Sequence, residues 1–136
     1  MAISRSADDL LASARRSLTE ASIAATAGER YAAAHLAALR AAAAVLADRG
    51  RPATRRSRVL SVWVVLPQVA PELGEWAAFF AAGARIRAAA EAGIDVVSHR
   101  QADDLVRDAD VFLARVCELL GVPHQPAMGS ALLHVG

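Results

Sequence analysis

The chain predicts an all-α protein, a four- to five-helix up-and-down bundle: apolar residues recur at three- and four-residue spacing along most of its length, the period of one helix face. Glycines and prolines fall between those periodic stretches, where they punctuate helices. The hydrophobic fraction is 55%, yet only 4% of the residues are aromatic. Alanine carries much of that fraction, and small side chains suit closely approaching helices better than a β-sandwich.

The elements follow in order. Ser6 with Asp9 reads as a capping box that opens a helix over about residues 7–26. Along it Leu11, Ala14, Leu18, Ala21 and Ala25 share one face, and Asp8, Arg15, Arg16 and Glu20 point elsewhere. A second helix, GERYAAAHLAALRAAAAVLADRG, runs to about residue 49 with two apolar seams. One seam is Tyr31, His35, Ala38, Ala42 and Val45; the other is Ala32, Leu36, Leu39, Ala43 and Leu46. Two seams require two neighbours, as for an interior bundle helix.

The stretch from Val59 to Leu66 holds four valines and fits strand or helix by periodicity. With no second strand for it to pair with, it is assigned as a short helix from Ser57 to near Pro67. Pro71 then sits in the first turn of a fourth helix, whose predicted core face is Trp76, Phe79, Phe80, Gly83 and Ile86, closed by Gly93. Ser98 and Gln101 form a capping box for a fifth, with the stripe Ala102, Leu105, Ala109, Phe112, Val116 and Leu119. Asp103 and Arg107 are expected to pair on its wet face, and Gly121 ends it. The predicted domain is thus residues 6–121, followed by a loosely ordered tail, 122–136.

Composition excludes several functions. The formal net charge is +1, so no global field draws the protein onto nucleic acid or anionic lipid. Cys117, the single cysteine, cannot form an intrachain disulfide and is expected to be buried; this fits a reducing cytoplasm. The N-terminus has no apolar signal core, and no apolar run approaches the roughly 18–20 residues of a membrane span. His35, His99, His124 and His134 form no metal-ligand pair, and there is no phosphate-binding glycine loop; neither metal nor cofactor is expected.

One local charge feature stands out. RGRPATRRSR, residues 49–58, holds five arginines and no acid. Its RGRP matches the core of a DNA-binding AT-hook. Helix punctuation explains the tetrapeptide better: Gly50 is placed to supply a left-handed cap and Pro52 to prevent continuation. Arg51, Arg55, Arg56 and Arg58 remain candidates for contact with phosphate or an acidic partner.

The order of elements resembles the HEPN family. LLASARRSLTEASIAATAGERYAAAHLAALRAAAAVLADRGRP is similar to the opening helix pair of HEPN domains, a short apolar helix (VLSVWVVL) follows, and QADDLVRDADVFLARVCELLG resembles the closing helix. The resemblance spans about residues 8–121, rests on pattern rather than an invariant motif, and is closest to small stand-alone actinobacterial members. It implies a helical bundle, frequently a homodimer, with a protein partner often encoded nearby. Many members are metal-independent ribonucleases of toxin–antitoxin or defence systems; others bind without catalysis.

The family's ribonuclease motif is an arginine followed a few residues later by histidine, late in the domain. Arg30 and His35 have the spacing but lie in the second helix, where positions five apart diverge by about 140°. Arg85 and Arg87 stand at the expected place, but the next histidine, His99, lies beyond Gly93. The motif is therefore missing from its expected position. The sequence favours a non-catalytic binding or regulatory module, with a degenerate ribonuclease or a nucleic-acid accessory protein using the arginine loop as alternatives.

Overall fold

The structure is a computed structural model that describes residues 3–50 and 61–124. It contains α1 (Arg5–Ile23), α2 (Ala27–Arg49), α3 (Val62–Val69), a 3₁₀ turn (Pro71–Leu73), α4 (Gly74–Glu91) and α5 (His99–Leu120). The all-α expectation holds: the described residues contain these helices and no strand. α2 is the central element, packing against each of the other four helices.

Helix ends follow local chemistry. The first helix starts earlier than Ser6 and Asp9 suggest, because Ser4 is the cap and its hydroxyl accepts from Ala7 N–H. Thr26 caps α2 by accepting from Glu29 N–H. Ser98 and Gln101 form the expected reciprocal box at α5, and Gly121 closes it with left-handed geometry at φ 71°. Gly50 also has positive φ, 87°, but its ψ of 131° lies outside the left-handed helical region.

Val62–Val69 is helical, but Pro67 lies inside it and does not end it. Ala70 N–H still bonds to Leu66 carbonyl at 2.9 Å, so the ladder resumes beyond the missing proline donor. The helix begins at Val62, with the extended Ser61 at its cap position, and not at Ser57 as expected. Ser57 itself lies outside the described residues, as do Arg51, Arg55, Arg56 and Arg58 and tail residues 125–136.

The core has two textures. On one side Ala7, Leu11, Ala14, Leu18 and Ala21 of α1 are buried, and so are Ala34, Ala37, Ala41 and Ala44 of α2. These small α2 side chains form a line beside the first predicted seam; the second predicted seam is largely half-buried, with only Leu46 fully enclosed. Burying Leu11 and Leu18 contributes roughly 1.5–3 kcal/mol each. On the other side is an aromatic centre: Trp63 stacks on Phe80 with centroids 5.2 Å apart, and Phe80 meets Phe112 at 5.1 Å. Phe79 departs from its predicted core position: it is 46% exposed, while its neighbour Phe80 is fully enclosed.

Candidate functional site

His35 lies where the aromatic centre meets α4. α2 delivers it from the same seam as Tyr31, Ala38, Ala42 and Val45, all buried. The imidazole is 0% exposed, with Trp63 and Phe80 presenting ring contacts at 5.9 and 6.0 Å. Its Nε2 lies 2.8 Å from Phe80 carbonyl, which can only accept. The proton must therefore be on Nε2, leaving the lone pair on Nδ1. That lone pair faces Arg87 Nη1 at 3.4 Å, a long contact in which the guanidinium is the donor.

The charge environment favours a neutral ring. Burial lowers the His35 pKa from its ordinary value, and the positive Arg87 adds to that shift; the Phe80 carbonyl and Glu91 oppose it. Arg87 is itself held by Glu91, Nε to Oε1 3.2 Å, the helical pair expected from their four-residue spacing. The pair meets the distance for an ion contact, yet Arg87 Nε lacks an aligned hydrogen bond. We read it as an electrostatic contact without directional bonding.

Beside the ring is a hollow of about 200 Å³, bordered by Tyr31, Phe79, Gly83, Ile86 and Leu105. His35 is itself among its lining residues, although the residue is 0% exposed to solvent. Gly83 lets α4 approach: a Cβ there would fall 2.8 Å from the Tyr31 hydroxyl. Burial also raises the Tyr31 pKa, so the phenol stays protonated at neutral pH.

The other candidates go elsewhere. Arg30 turns away from His35 and serves the end of α1, donating from Nε to Ala21 carbonyl at 3.1 Å and from Nη2 to Ala24 carbonyl at 3.3 Å. Its Nη1 meets Asp103 at 2.5 Å. This claims the acid expected to pair with Arg107, which instead pairs with Asp104. Arg85 is exposed on α4, and His99 is exposed at the first position of α5. Among the described residues no hydrogen bond or ion pair joins His99 to Arg85 or Arg87. The association between Arg87 and His35, 52 positions apart, was not identified from the sequence because it is formed between helices.

A family model for HEPN_SAV_6107-like HEPN matches residues 21–117. The chain belongs to this HEPN family. The match covers α2 to α5 almost entirely, including both partners of the Arg87–His35 contact. No curated protein and no solved structure matches the chain.

Two further features bound the chemistry of this HEPN protein. Among the described residues no helix is long and apolar enough to cross a membrane. None of the described His, Cys, Asp and Glu side chains form a group of three or more suited to a metal ion. Cys117 is buried, and burial pushes its thiol pKa up despite nearby Arg15.

Proposed function

We propose that this HEPN protein is a non-catalytic binding module that acts through an open helix face. The observation that carries this reading is the enclosure of His35. A ribonuclease histidine must exchange a proton with the reacting hydroxyl or leaving group, which requires access to both substrate and solvent. His35 is 0% exposed, and its Nε2 proton is committed to Phe80 carbonyl. The outer surface of α4 supplies the open face: Ala78, Phe79, Ala81, Ala82 and Arg85 are exposed. A second copy or a separately encoded protein is the partner class this reading calls for.

The ribonuclease reading has one observation in its favour, the approach of Arg87 to His35 beside a hollow. Incubation of the purified protein with single-stranded RNA in chelator separates the two. The binding-module reading predicts intact RNA. Metal-independent cleavage that disappears in both Arg87→Ala and His35→Gln, with helical content retained, would overturn it.

A further inference from the structure

A second hollow, of about 330 Å³, lies between α4 and α5 and is lined by Glu75, Trp76, Phe79 and Asp108. Its aromatic walls stand nearly perpendicular: the Trp76 and Phe79 centroids are 6.3 Å apart and their planes meet at 88°. Two of its four lining residues are acids and none is basic. Among the described residues neither acid has an ion-pair partner, since Arg107 is taken by Asp104 and Arg115 by Glu118. Partial burial, followed by the neighbouring Asp104 charge, holds the Asp108 carboxyl above its ordinary pKa, with Arg107 opposing.

Aromatic faces attract cations through their quadrupoles, and carboxylates complement a planar guanidinium through paired N–H donors. A guanidinium can use both at once, stacking on a ring while donating along its edge. We propose that this hollow docks an arginine side chain presented by a partner protein. Charge complementarity selects the cation, while the aromatic walls select an organic one over a metal ion. A protein source fits the surroundings: exposed Ala78 and Ala82 extend the surface along α4, and Val111, 56% exposed, lies one turn beyond Asp108 on α5. A flanking peptide covers that apolar ground, whereas a free small cation leaves it open.

This inference deepens the binding-module reading, and the RNA assay tests catalysis independently of it. The probe is a short alanine-based peptide carrying one arginine, compared with its citrulline analogue and with free N-acetylargininamide. Binding is followed by the Trp76 indole N–H signal, assigned with Trp76→Phe. The arginine peptide should shift that signal saturably, and binding should fall about tenfold with citrulline or in Glu75→Gln/Asp108→Asn. Unchanged helical content verifies that the double variant is folded. Equal binding of the citrulline peptide, or no shift at millimolar arginine peptide, overturns the proposal. Equal affinity for N-acetylargininamide overturns the protein-partner assignment, and a self-associated form that dissociates in the double variant overturns it in favour of a second copy.

Discussion

His35 shows how a residue with catalytic chemistry becomes a packing group. Its Nε2 proton satisfies a main-chain carbonyl, its lone pair faces a cation, and surrounding rings exclude water. Because burial lowers its folded pKa below the ordinary 6.5, its contribution is fully present above that pH. As pH falls from there toward the lowered value, the unfolded chain takes up a proton first and stability is lost. Thermal melts should therefore show a steeper acid-side fall for the native protein than for His35→Gln. The substitution itself should cost about 1–3 kcal/mol at neutral pH, since the ring contacts with Trp63 and Phe80 are lost and the site must repack around a flexible amide. His35's place on a buried seam was legible from its spacing with Tyr31, Ala38 and Val45. Its contact with Arg87 was not, because periodicity assigns a face to each helix without saying which residue of another helix meets it.

At the element scale, α2 and α4 are joined by a close approach at Gly83. Gly→Ala inside a helix ordinarily stabilises by about 1 kcal/mol. Here the added methyl meets the Tyr31 hydroxyl at 2.8 Å, and that ring is only 6% exposed, so relief requires movement of a packed side chain. Overpacking of this kind costs about 1–3 kcal/mol, enough to cancel or reverse the propensity gain. Denaturant melts of a double-mutant cycle should show Gly83→Ala neutral to destabilising alone, but more favourable in Tyr31→Phe. An equal effect in both backgrounds would remove the hydroxyl from the explanation.

A second junction joins α1, α2 and α5 through Arg30. Arg30→Ala should destabilise by about 1–3 kcal/mol by removing donors from the end of α1 and an ion pair partly screened by solvent. Most of that loss should remain in an Asp103→Asn background, because the carbonyl contacts do not depend on the acid. The sequence made Asp103 and Arg107 plausible partners by spacing along one helix. Arg30 intervenes from another, a choice that local pattern does not encode.

Across the whole molecule, periodicity and punctuation made the helical architecture legible, including the reciprocal cap at α5. Two kinds of information were obscured. Alanine lies on so many faces of α2 that hydrophobic contrast misses the buried line Ala34, Ala37, Ala41 and Ala44. In α4, Phe79 and Phe80 are adjacent and equally apolar, yet only Phe80 enters the core; exposed Phe79 instead borders the hollow beside His35 and the hollow lined by Glu75 and Asp108. The candidate site was thus legible as residues and not as a constellation.

That His35 is a sealed packing group is tested most directly by following its ring nitrogens by NMR as a function of pH. The expected spectrum has the proton on Nε2, an unprotonated Nδ1, and a transition below the ordinary histidine pKa of 6.5. A ring that titrates at or above that value, with its Nε2 proton exchanging freely with water, would contradict the sealed pair and restore His35 as a catalytic candidate.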